Sequence, residues 1–169
     1  MLESFRADWR ANHIYPLGRL MMAVYRYGNW VHRSVRIPIL SQLLWLIYWI
    51  AYIAISIVVF GSQIPAKCTI GKGLKLPHPF GIFLTGEVVI GDNALLWHQV
   101  TIGHARELGP DSPVLGDNVI VGTGAKILGK VRIGNNVKIG ANAVVVHDVP
   151  EGATVVGVPA RIHHAPDES

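Results

Sequence analysis

Residues 115–146, LGDNVIVGTGAKILGKVRIGNNVKIGANAVVV, carry a beat of six. A branched aliphatic or Leu recurs at Leu115, Val121, Ile127, Ile133, Ile139 and Val145, and Gly follows at Gly116, Gly122, Gly134 and Gly140. The same beat runs earlier through Ile64, Ile70, Leu76 and Ile82, then through Ile90, Leu96 and Ile102. A period of six matches neither the helical period of about 3.6 nor the two-residue alternation of a half-buried strand. It suits a coil of three short faces, each six residues long, with one aliphatic per face pointing to the axis. The expectation is a mainly β chain built as a parallel β-helix solenoid.

Outward from that stretch, the chain divides near Gly61. Residues 62–162 are rich in Gly, Val and Ile, whereas 1–61 read as helical and hold two acids, Glu3 and Asp8. Residues 163–169 form a short polar tail. Arg19, Arg26 and Arg33 fall seven apart, near one helical stripe. No charged residue occurs between Arg36 and Lys67, so the segment 38–61 is uncharged throughout. Its core, Leu43–Phe60, is 18 residues long, enough to be a candidate membrane span. It starts too far into the chain for a cleavable leader. A span would keep the arginines inside and put the solenoid outside. The alternatives are a helix buried between subunits or against the solenoid, and a segment lying on the inner face of the membrane.

The 169 residues are 50% hydrophobic and 15% charged, with a net charge of +4. That balance suits anionic partners but does not argue for nucleic acid. The lone Cys68 cannot form an internal disulfide, which points to a reducing, cytoplasmic setting. It reads best as a small buried residue on a coil.

Three beats make one coil, so residues 18 apart stack. The beat slips by two residues, read here at Val88–Val89, and breaks between Ile102 and Leu115, a gap of 13. The surplus lies within 103–114, GHARELGPDSPV, which must leave the solenoid as a loop. His78 lies two past Leu76 and His98 two past Leu96, so the two should share a column. Thr123 and Ala141 continue that column with small side chains. Such a ridge lets an extended ligand lie against the backbone, with histidines at its tip. His104, His147, His163 and His164 read as surface residues on pattern alone, and His13 and His32 belong to the helical part.

Several stretches then carry a resemblance: 70–81 (IGKGLKLPHPFG), 100–103 (VTIG), 122–129 (GTGAKILG), 139–146 (IGANAVVV) and 157–161 (GVPAR). Together with the six-residue beat they resemble the left-handed β-helix acyltransferases, over residues 62–162. The nearest look is to the serine acetyltransferase branch, and within it to the O-acetyltransferases of exopolysaccharide and colanic-acid clusters. The resemblance implies a homotrimer with acetyl-CoA in the groove between neighbouring solenoids, and no metal. It assigns His78 as the base that takes the acceptor's hydroxyl proton, with His98 beside it. It lines the pantetheine with the backbones near Thr123 and Ala141, and brings Arg161, and less directly His147, to the CoA phosphates. His104, Arg106 and Asp111 are the candidates in the extruded loop for acceptor contacts.

Serine acetyltransferases place carboxylates where this chain has Gln63 and Pro77, and a histidine in the loop where it has 109–113 (GPDSP). A free amino acid needs charged partners at both ends; a sugar hydroxyl needs a base and hydrogen bonds. The expectation from these departures is O-acetylation of a sugar in a surface polysaccharide or its lipid-linked precursor. The work would be done in the cytoplasm or on the cytoplasmic face of the inner membrane. Serine O-acetylation is the alternative. A zinc lyase built from His78, His98 and His104 is the competing class.

Overall fold

The computed structural model describes residues 2–105 and 111–163. Three helices come first: α1 (Leu2–Ala11), α2 (Pro16–Ser34) and α3 (Pro38–Ala51), which runs on as a π-helical segment over Tyr52–Val59. Pro16 and Pro38 each open a helix at the position where a missing N–H costs nothing. Among the described residues thirteen strands of two or three residues follow, twelve of them wound into a left-handed β-helix of three parallel sheets. One face stacks Thr69–Ile70, Val89–Ile90, Val114–Leu115 and Arg132–Ile133. The second stacks Leu95–Leu96, Ile120–Val121, Lys138–Ile139 and Thr154–Val156; the third stacks Phe83–Leu84, Thr101–Gly103, Lys126–Leu128 and Val144–Val145.

Every aliphatic of the beat, from Ile64 to Val145, is buried on the axis. Small residues such as Ala94, Ala125 and Ala143 fill the corners between them. The tight corners need left-handed backbone. Asn supplies it at Asn93, Asn118 and Asn136, all with φ between 57° and 59°. Short Asx side chains tolerate that region better than other residues with a Cβ. Asn118 and Asn136 also stack, with amide and oxygen 3.1 Å apart.

The register corrects the reading of the slip. Gln63 pairs with Phe83, Thr69 with Val89 and Lys75 with Leu95, each an offset of twenty. Below them, Phe83 pairs with Thr101, an offset of eighteen. The axis residue after Leu76 is therefore Leu84, and the slip does not lie at Val88–Val89. Gly81 already sits over Gln99, so the two extra residues are taken up between Leu76 and Gly81. Ile82 and Leu84 are both aliphatic and both buried, which made either a plausible beat. The strands flanking the excursion end at Gly103 and resume at Val114. The last coil is short by two, with Lys138 opposite Thr154. Arg161–Ile162 then turns back antiparallel on Val155–Val156 and covers the open edge.

The other open edge lies under the helices. The first coil has no strand above it, so its backbone groups must be met by something else. Side chains of α1, of Asn12 just beyond it and of α2 meet them. Tyr25 donates its hydroxyl to Cys68 O (2.9 Å) and accepts from Ile70 N (3.2 Å). Arg26 donates to Ile70 O at 2.8 Å and to Gly71 O. Asp8 accepts from Gly73 N and Leu74 N, and is itself paired with Arg26 at 2.6 Å. Asn12 donates to Leu74 O and accepts from Leu76 N. The three arginines read as one stripe have separate fates. Arg19 lies over the Trp9 ring, Arg26 is buried in this cap, and Arg33 donates to Thr69 Oγ1.

The uncharged segment is one continuous helix, Pro38–Val59, of mean hydropathy 2.1. One face packs on α2 and the first coil through Tyr48, Tyr52 and Ser56. Gly28 makes room for it, because a Cβ there would collide with the Tyr48 ring.

Candidate active site

Among the described residues, histidines meet at the corner after Leu76 and Leu96. The rings of His78 and His98 lie 5.9 Å apart, centre to centre, and nearly perpendicular; Trp97 flanks His78 at 6.1 Å. His78 faces outward and is exposed, while His98 is half-buried. Nδ1 of His98 is buried and has no hydrogen-bond partner among the described residues. An imidazole nitrogen left so is available to an incoming polar group.

The backbone of this corner is held from three sides. Ser62, itself buried, donates to Pro79 O (2.8 Å) and accepts from Ile82 N (3.0 Å). Gly81 N donates to Phe60 O, and Gln99 N to Phe80 O. Phe80 stands edge-on to Phe60 at 5.3 Å. From below, Lys126 Nζ donates to Gln99 O (2.8 Å) and Gly124 O (2.9 Å). Gln99 has φ 60°, an unusual conformation for a residue with a Cβ, next to a candidate catalytic histidine. Ser62, Lys126 and the Gln99 turn were not singled out from sequence. Gln99 falls at the coil position that Gly81, Gly124 and Asn142 fill elsewhere, which was the available signal.

Leu96 pairs with Val121, and Val121 with Ile139, so His98, Thr123 and Ala141 follow one another down this ridge. Thr123 is half-buried and Ala141 exposed. Asn142 N donates to Thr123 O, and Gly124 N to His98 O. At the far end, Val144 exchanges backbone hydrogen bonds with Gly157 O and Ala160 N. His147, three residues after Val144, and Arg161, next to Ala160, therefore lie at the same end of the solenoid, and both are exposed.

His104 stands at the following corner, two residues past Ile102. Its Nε2 faces Glu87 Oε2 at 3.2 Å and its Nδ1 faces Asp111 O at 3.2 Å. Ser112 Oγ is 3.5 Å from the same Nδ1, and Asp111 reaches toward Lys130. The structure thus ties His104 to the base of the loop, where Glu87 is a partner the sequence reading missed. It does not bring His104 or Asp111 to His78 and His98 within one chain, and among the described residues no three His, Cys, Asp or Glu side chains converge on a point. Arg106 and His164 lie outside the described residues. Cys68 donates weakly to Thr85 O, and burial pushes its thiol up to about 12. Gln63 lies beside Tyr52 in the groove between α3 and the first coil.

A six-residue solenoid whose corner presents paired histidines above a small-residue ridge is the architecture of the hexapeptide-repeat acyltransferases. The bacterial transferase hexapeptide family (six repeats) matches residues 112–147. A serine acetyltransferase of Helicobacter pylori is 35% identical over 159 residues, covering 92% of this chain and 86% of that protein. A serine acetyltransferase of Synechococcus elongatus is 35% identical over 149 residues, covering 88% of this chain; the chain spans 57% of that longer relative. The structure of soybean serine acetyltransferase complexed with serine superposes with a TM-score of 0.81 at 31% identity, over 95% of this chain and 68% of that one. The chain belongs to the serine acetyltransferase family.

These relatives overturn the expectation of a sugar acceptor. It rested on Gln63 and Pro77 standing where carboxylates were expected, and on the loop stretch 109–113 without a histidine. The lack of acids at one corner of one chain does not define an acceptor, and proteins named for serine match this chain through its helices as well as its coils.

Proposed function

We propose that this chain is an acetyl-CoA-dependent serine O-acetyltransferase. The observation that carries the reading is the match to the Helicobacter pylori serine acetyltransferase across 92% of this chain and 86% of the relative. The histidine corner supplies the chemistry. His78 takes the proton from the serine hydroxyl as that oxygen attacks the thioester carbonyl. The tetrahedral intermediate collapses, the C–S bond breaks, and the sulfur of CoA leaves with the proton His78 held. His98 stands close enough to His78 to orient its ring or to meet the acceptor.

Thr123 and Ala141 let the pantetheine arm lie along the ridge, and Arg161 and His147 take the phosphate end. Three copies assembled side by side would wall the exposed ridge. They would also cover outward-facing apolar residues of the strands, such as Phe83, Val114 and Ile120. The work is done in the cytoplasm, where acetyl-CoA is available.

The test is release of free thiol from acetyl-CoA by the purified protein. Release with L-serine, and none with its O-methyl ether, is the expected result. Equal release with both, or none with either, overturns the reading.

A further inference from the structure

The helix Pro38–Val59 packs one face and leaves the other bare, with only 17% of its most apolar window buried. At about 100° per residue in the α-helical part, Ile39, Leu43, Leu46 and Ile50 fall within a narrow band along the middle of the bare face, Ile53 and Ile57 follow in the π-helical part, and all six are exposed. Trp49 marks one border, with Trp45 behind it, and Leu40 and Ile47 mark the other. The bare arc is about half the circumference. Apart from exposed Gln42 it is apolar for some 30 Å, far beyond the scattered apolar side chains of an ordinary surface.

Charge lies at the edges of this strip. Exposed Arg33 and Arg36 precede it, and exposed Lys67 stands beside Trp45 and Trp49 in the groove along its flank. No acid interrupts it. A half-cylinder of aliphatics, with tryptophan at its border and cations at its rim, complements the boundary between acyl chains and anionic headgroups. The inward face rules against a span. Tyr48 accepts from Ala66 N, and Ser56 lies on Met21, so crossing a bilayer would strip the helix from the first coil.

We propose that the outward half of this helix docks the protein flat on a lipid surface rich in acidic headgroups, independently of the acceptor. The experiment is flotation with vesicles of phosphatidylcholine, with and without phosphatidylglycerol. It uses the wild-type chain, Ile50→Glu/Ile53→Glu and Arg36→Glu. The wild type should float with the phosphatidylglycerol vesicles, lose binding as salt rises, and stay largely free of pure phosphatidylcholine. The double variant should bind at least about tenfold more weakly, with its unfolding midpoint and its thiol release with L-serine unchanged. Arg36→Glu should fall between. Wild type that ignores both vesicles overturns the proposal. So does a double variant that ignores them no more than wild type but falls to a smaller assembly, which would make the strip a contact between copies. Equal binding to both vesicles overturns the acidic preference.

Discussion

The helical cap and the solenoid beneath it solve the same problem in opposite ways. Both must satisfy backbone groups and bury apolar surface. The solenoid does so by repetition: each coil offers its N–H and C=O groups to the next, and each face adds one aliphatic to the axis. The cap does so with a few unique side chains, Asp8, Asn12, Tyr25 and Arg26, whose polar atoms stand in for a missing strand. The difference separates two roles. Repetition spreads stability thinly and leaves a corner free for chemistry, while the cap concentrates stability in a handful of bonds and has no part in the proposed reaction.

That contrast can be broken by substitution. His78→Ala should lower thiol release with L-serine by about 10²–10⁴-fold while leaving the thermal midpoint in place. A large fall in midpoint would mean that the corner is structural after all. Asp8→Asn should do the reverse. It leaves the Arg26 guanidinium buried without its counter-charge, and should cost about 3–5 kcal/mol in denaturant unfolding. Ser62→Ala sits between the two. Loss of its bonds to Pro79 and Ile82 should cost about 1–3 kcal/mol and slow turnover, because the same bonds hold the His78 corner. Restoration of both by Thr would sharpen the assignment.

Another test is one of pH. Burial raises the Cys68 thiol and the Tyr25 phenol to about 12, from ordinary values of 9.0 and 10.0. Between those ordinary values and 12 the unfolded chain gives up protons that the folded chain keeps, so stability falls as pH rises. A midpoint that stays level from pH 8.5 to 11 would show that the first coil is open to water.

The solenoid was legible in the sequence because its physics is periodic. One aliphatic per face is a local rule, and Leu115 through Val145 obey it without exception. The approach of His78 to His98 followed from counting along that rule. Where two residues could both satisfy it, as at Ile82 and Leu84, counting misplaced the slip. The cap was illegible for another reason. Asp8 meets Gly73, and Arg26 meets Ile70, across separations that no periodicity marks. Three arginines seven apart fall near one helical stripe, yet burial took Arg26 alone. The acceptor was misread because Gln63, Pro77 and the histidine-free stretch 109–113 were taken as evidence of what the corner binds. Gln63 in fact faces Tyr52 in the helical part.

The two surplus residues between Leu76 and Gly81 have a consequence for anyone rebuilding this protein. They are absorbed inside one bend, and the three faces return to step at Leu84. The bend therefore takes up the slip and carries His78 at once. Trimming or rewriting it would disturb the proposed base, whereas the axis residues on either side would stay in step.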